Sequence, residues 1–273
     1  MATKHEIVTL RALFALPPIK ESVSTALAVP DMPQQTVTTG DREVDAVLWL
    51  QRVVSTGHPT LIAKALEAVK LIETPMTSLA DRYADYLRRS GAHPLQVAFG
   101  TVGFGDLDKQ ADRAIDKARN QHEALARFGS VESLFADTPA EKACKKALRG
   151  LNASAHGFYD DDAIADRFGR FPGLVPHTID DCLYVRAYWR DMYRLRLAMG
   201  DSGDGTSHGW AHECYCLAML ARIKPRDGAE AIAAFDHLYE SDSDDSKEAP
   251  AILRNLVVSG WNSSYQPVQQ EEQ

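Results

Sequence analysis

Cysteine is scarce in this chain, with four among 273 residues. Cys144 and Cys182 stand alone, and Cys214 and Cys216 sit too close together to pair without strain on a helix. That excludes a disulfide-stapled secreted scaffold and points to a reducing cytoplasm. Long apolar runs are missing too: none approaches the roughly 18 residues that a membrane-spanning helix needs. The apolar stretch after Met1 is short and broken by Glu6 and Arg11, so no secretory signal is expected there. There is no basic excess either. Lys and Arg number 30 against 38 Asp and Glu, for a formal net charge of -8. Such an acidic surface disfavours tight nonspecific binding to nucleic acid or anionic membrane, because phosphate contacts need a local positive field. No Gly-x-Ser-x-Gly elbow occurs. The glycine-rich stretch Gly100–Gly105 lacks a Lys-Ser/Thr pair and is followed by Asp106 and Asp108, so it reads as a flexible connection rather than a phosphate cradle.

Helix signals recur throughout, whereas strand alternation is nearly absent. Thr3 and Glu6 form a capping box that opens a short helix ending before Pro17-Pro18. A second short helix is predicted from Ile19 to Val29, then a loop from Pro30 to Thr39. Helices follow at Asp41–Ser55, after Pro59 with the stripe Ile62, Ala65, Leu66, Val69 and Ile72, and at Ser78–Arg89. Asp106–Phe128 forms the longest early helix, aligned by Leu107, Ala111, Ala114, Ile115, Ala118 and Leu125; His122 falls on that stripe and reads as a core histidine. Thr138-Pro139-Ala140-Glu141 combines a cap, a proline at the first helical position and the capping-box glutamate.

The helical period lapses from Gly150 to Tyr159. Beyond it, helices are predicted at 161–169, 179–199, 207–222, 228–240 and 248–258. The expected fold is therefore all-α, a multi-helix bundle of about ten helices. It divides into an N-terminal bundle over residues 1–150 and a C-terminal bundle over 151–265, with a disordered tail at 266–273.

The unusual chemistry lies in residues 152–216, which hold four of the nine histidines and three of the four cysteines. His208, His212 and Cys216 are spaced four apart and project from one helix face. Imidazole and thiolate are good ligands for zinc, so these three are the candidate site for a divalent metal ion, with Glu213 alongside as a base. The competing reading is a helix face of satisfied polar groups and a buried thiol, which needs no cofactor.

Carboxylates one helical turn apart occur at Asp162/Asp166, Asp81/Asp85 and Asp108/Asp112/Asp116. In an all-helical chain of this size that spacing resembles the isoprenoid synthases that join two prenyl diphosphates. The resemblance implies carboxylates that hold magnesium, which in turn binds diphosphate. It covers only these short motifs, and the family's aromatic and glycine-rich segment does not follow the first of them. Solvated faces with local ion pairs explain the same spacing.

Arg186, Arg190 and Arg194 run along one side of the 179–199 helix, with Trp189 and Tyr193 interleaved. That combination suits a protein interface or an anion site, and by stacking on bases it also suits nucleic acid. The opposite face, with Tyr184, Tyr188, Met192, Leu195 and Met199, reads as core. The simplest account of the arginines is charge pairing with Asp160, Asp161, Asp162 or Asp166.

Without a catalytic motif, the sequence does not decide whether the chain is an enzyme. The first expectation is a non-enzymatic cytoplasmic adaptor or regulatory protein that binds another protein. The composition would suit a bacterial, plasmid or phage accessory factor. The alternatives are a metal-dependent enzyme with a His/Cys or Asp-rich site in the C-terminal half, and a nucleic-acid-binding regulator that uses the arginine row.

Overall fold

The computed structural model describes residues 10–20, 30–154, 157–200 and 205–260. From residue 42 onward it is all-α: twelve α-helices and two 3-10 turns, with no strand among the described residues. The Thr3 capping box, residues 21–29 of the second predicted helix, residues 201–204 and the 266–273 tail lie outside the described residues.

The chain divides into two units, one formed by Ile19–Ala126 and the other by Met1–Pro18 together with Arg127–Gln273. The first holds α1 (Arg42–Val54), α2 (Pro59–Val69), α3 (Met76–Arg89), α4 (Pro94–Gly100), a 3-10 turn at Val102–Phe104 and most of α5 (Leu107–Phe128). Asp41 begins α1 by accepting the Glu43 and Val44 amides, and it also receives Arg82 of α3 at 2.7 Å. α1 buries Val44, Val47, Leu50, Val53 and Val54. Each such apolar side chain contributes roughly 1.5–3 kcal/mol on leaving water. Gly57 turns the chain toward α2 at φ +69°. A Cβ there would lie 2.8 Å from both the Ala114 carbonyl oxygen and the Ala118 Cβ on α5, so the turn is closed to other residues.

Three details of this unit depart from the sequence reading. α4 is an unforeseen helix, started by His93, whose ring accepts the Leu95 amide while Gln96 reaches back to the His93 N–H. The Gly100–Gly105 stretch is a pinned turn rather than a flexible connection: Phe104 is buried against Val44, Val47 and Leu79, and Gln110 donates to the Gly103 carbonyl. His122 is exposed. The buried track of α5 passes through Leu107, Ala111 and Ala124, and His122 lies about 200° around the helix from Ala124.

The other unit holds α6 (Val131–Phe135), α7 (Pro139–Ala147), α8 (Asp161–Gly169), a 3-10 turn at Pro172–Leu174, α9 (Ile179–Ala198), α10 (Ser207–Leu220), α11 (Gly228–Glu240) and α12 (Ala249–Gly260). Hydroxyl and carboxylate caps open them: Thr138 for α7, Asp160 for α8, Thr178 for α9, Thr206 for α10 and Asp227 for α11. α9 is the central helix, packed mainly against α10 and α11, while α10 also packs on α7, α8 and α12. The N-terminal stretch completes the core. Phe14 is buried, stacks on His212 at 4.9 Å and meets Tyr188 and Trp189 edge-on. Arg11 reaches the buried Asp181 at 3.2 Å. The helix-free stretch near residue 150 lies within this unit, linking α7 to α8.

Candidate functional site

α9 is buried around almost its whole circumference, so its polar residues meet protein on several sides. A cavity of about 350 Å³ opens between α9, α10, α11 and the loop after α11, and one of about 650 Å³ between the 157–159 loop, α8, α10 and the loop after α11, with Arg186 the α9 residue in its lining. Arg186, Trp210, Glu213, Ser241 and Asp242 line both, so the cavities form one cleft divided at Arg186.

Arg186 is buried. Its Nε–H donates to His237 Nε2 at 2.6 Å, and its terminal nitrogens donate to the Glu213 carbonyl at 3.2 Å and to Ser243 Oγ at 3.3 Å. The Glu213 carboxylate stands 3.8 Å away. Because His237 Nε2 accepts, its ring is neutral with the proton on Nδ1. Burial, with the Arg186 and Arg190 charges added, pushes that imidazole down to about 4. Burial raises the Glu213 carboxyl, against the pull of Arg186 and Arg190. Asp242, on the loop bordering both cavities, is the one non-glycine with positive φ (48°) among the described residues.

Trp189 is also buried, and it fits because α10 carries glycine opposite it. A Cβ on Gly209 would meet the Trp189 ring at 2.9 Å. Arg190 is exposed and Tyr193 is 43% exposed; both border the smaller cavity. Arg194 is half-buried and pairs with Asp191 at 3.2 Å. The predicted row thus separates into an interior guanidinium, a rim guanidinium and one held on the helix surface.

The expected pairing of this row with Asp160–Asp166 is not formed. Asp160 caps α8, Asp161 pairs with Lys247, and Asp166 pairs with Arg170 at 2.8 Å. The reason is packing: α8 lies mainly against α10 and α7 rather than along α9. Asp81, Asp85, Asp108, Asp112, Asp116, Asp162 and Asp166 are all exposed. Asp85 and Asp116 face Arg88 and Arg119 on their own helices, as local surface pairing would have it.

The His208/His212/Cys216 face turns inward onto other partners. His212 is fully buried. Its Nε2–H donates to the Leu174 carbonyl at 2.8 Å, and its Nδ1 accepts the Trp189 indole N–H at 3.4 Å, so both ring nitrogens are engaged. Burial depresses this imidazole to about 4. Cys216 Sγ lies 3.9 Å from His212 Nδ1, and burial raises its thiol well above the usual range, whereas metal ligation needs the thiolate. His208 is half-buried, with Nε2 3.3 Å from the Tyr159 hydroxyl. No group of three His, Cys, Asp or Glu side chains among the described residues is arranged to hold a metal ion.

No family model matches this chain, and no curated protein or solved structure matches it.

Sequence reasoning missed four contributors to the cleft: Trp210, His237, Ser243 and the Asp242 turn. Trp210 is 40% exposed and meets the 55% exposed Phe158 edge-to-face at 5.4 Å. An aromatic pair spaced 52 residues apart leaves no periodic signal. His237 and Ser243 reach Arg186 across 51 and 57 residues. Ser241 Oγ donates to the His237 carbonyl at 2.6 Å, and the acceptor nitrogen of His237 is taken by Arg186, so neither serine has a free imidazole beside it as a base.

Proposed function

We propose that this chain is a non-enzymatic binding protein that recognises another protein at the mouth of the α9–α10–α11 cleft. The observation that carries this reading is the exposure of Arg190, Tyr193 and Trp210 around the smaller cavity, continued into the larger one by Phe158, which packs on Trp210. Arginine, tyrosine and tryptophan bordering a pocket are the residues that dominate protein interfaces. The second cavity adds depth for an inserted side chain.

Nucleic-acid binding is less well supported. Of the arginine row only Arg190 stands at the mouth, and Glu240 and Asp242 border it. Metal chemistry is also less supported, because both nitrogens of His212 are occupied. No helix among the described residues is long and apolar enough to cross a membrane.

A photo-crosslinking amino acid placed at Tyr193 tests the proposal, with the same group at Leu71, 82% exposed on the other unit, as control. The expected result is a discrete protein adduct from position 193 alone, lost on Arg190→Glu while the circular-dichroism melt is unchanged. Equal crosslinking from both positions overturns it. Salt-sensitive retention on nucleic acid that disappears in Arg190→Glu favours the regulator reading instead.

A further inference from the structure

α9 contains two buried arginines, and their charges are met differently. Arg196 is gripped by both oxygens of Glu141, at 2.7 and 3.1 Å, and its Nε–H donates to the Leu134 carbonyl at 3.1 Å. Its charge is matched by a full carboxylate. Arg186 instead donates to a neutral imidazole, a carbonyl and a hydroxyl, and its nearest carboxylate, Glu213, remains 3.8 Å away. A buried cation is strongly disfavoured unless it is both hydrogen-bonded and paired. Arg186 has the hydrogen bonds but only a loose pair, and it borders a cavity on each side.

Arg190, one helical turn further on, brings a second guanidinium to the smaller cavity and has no ion pair among the described residues, whereas Arg196 and Glu141, which also line it, neutralise each other. The two arginines and their surroundings define the group that this cavity can take. Glu213, Glu240 and Asp242 also border that cavity, so a dianion such as phosphate meets repulsion. A singly charged planar carboxylate matches the guanidinium fork and costs less against those acids. Tyr193 and Trp210 beside it offer apolar surface to whatever bears the carboxylate.

We infer that the cleft seats a carboxylate of an acidic peptide segment between Arg186 and Arg190; this deepens, and rests on, the protein-binding reading. The carboxylate is either a side chain or a chain terminus, and the test separates the two.

The test uses the full chain with ¹⁵N-labelled arginine and tryptophan, observing Arg Nε–H and indole signals by NMR. The probes are N-acetylphenylalanine (a terminal carboxylate), its amide, the α-amide of N-acetylaspartic acid (a side-chain carboxylate) and inorganic phosphate. At least one carboxylate probe is expected to move Arg186 Nε and Trp210 Nε1 saturably, with Kd on the order of 1 mM, while Arg82 Nε, held by Asp41 and lining neither cavity, stays fixed. The tighter of the two identifies the source. Arg190→Gln, at an exposed position that does not threaten the fold, is expected to weaken binding about tenfold. Equal binding of the amide, tighter binding of phosphate, or unchanged affinity in Arg190→Gln overturns the inference. So does the absence of any saturable shift. If that absence accompanies a persistent adduct at Tyr193, the protein-binding reading stands and the carboxylate alone is lost. Saturable carboxylate binding with no adduct leaves the seat in place and removes the protein partner.

Discussion

Acidification tests the enclosed state of His212 directly. The unfolded imidazole takes up its proton near pH 6.5, whereas burial holds the folded one at about 4. Between those values the unfolded chain carries a proton that the folded chain does not, so stability falls as pH falls. The contribution is complete above about pH 6.5, is lost progressively toward pH 4 and changes little below it. The difference between about 4 and 6.5, at ~1.4 kcal/mol per pH decade, is roughly 3 kcal/mol. About 2 kcal/mol of it is gone by pH 5. The assay is urea unfolding at pH 7 and pH 5, followed by tryptophan fluorescence, in the native chain and in His212→Gln. Glutamine keeps a hydrogen-bonding head but has no proton to gain, and the contributions of His237 and the carboxylates cancel in the comparison. The native chain is expected to lose about 2 kcal/mol more than the variant between the two pH values. Parallel losses would refute the reasoning, and so would a gain in stability with zinc that requires His212.

Breaking the Glu141–Arg196 pair with Glu141→Ala is expected to cost about 3–5 kcal/mol in urea unfolding, because a guanidinium only 9% exposed loses its counter-charge. The double change Glu141→Leu with Arg196→Met should recover most of that loss, as a double-mutant cycle would show. Gly209→Ala places a methyl 2.9 Å from the Trp189 ring, and a loss of about 1–3 kcal/mol with a shifted Trp189 indole resonance is expected. Thiol labelling of the folded chain should leave Cys144, Cys182 and Cys216 untouched, because all three are buried with raised thiols. Cys214, half-buried and pushed up to about 12, should label first and faster at higher pH, read by mass spectrometry.

Helix starts were legible because capping chemistry is local. Thr138 and Glu141 stand three residues apart, and both reciprocal bonds form. α8 and α11 occupy the predicted ranges 161–169 and 228–240. α4 escaped notice because its seven residues bury nothing and so show no stripe, although His93-Pro94 followed by Gln96 was a readable start. The site was only half legible. The arginine row could be read on α9, but a helix enclosed on nearly all sides gives no periodic cue to which arginine is interior. The same limit applied to α10, where regular spacing suggested a ligand face and packing made it a core face. The division into units was hidden for another reason. Loops show in composition, whereas the contacts that close this unit, such as Arg11 with Asp181, span 170 residues.

The discontinuity of that unit sets an order of events during synthesis. Phe14 leaves the ribosome early, and the ring on which it stacks, His212, is made nearly two hundred codons later. At about 5–20 residues per second the delay is on the order of 10–40 s. Residues 19–126 are complete within that interval and are free to fold first, while an aromatic side chain waits without its pocket. The N-terminal segment therefore has no His212 to dock on until α10 has been made, and a fragment begun at residue 127 would emerge without the ring that covers His212.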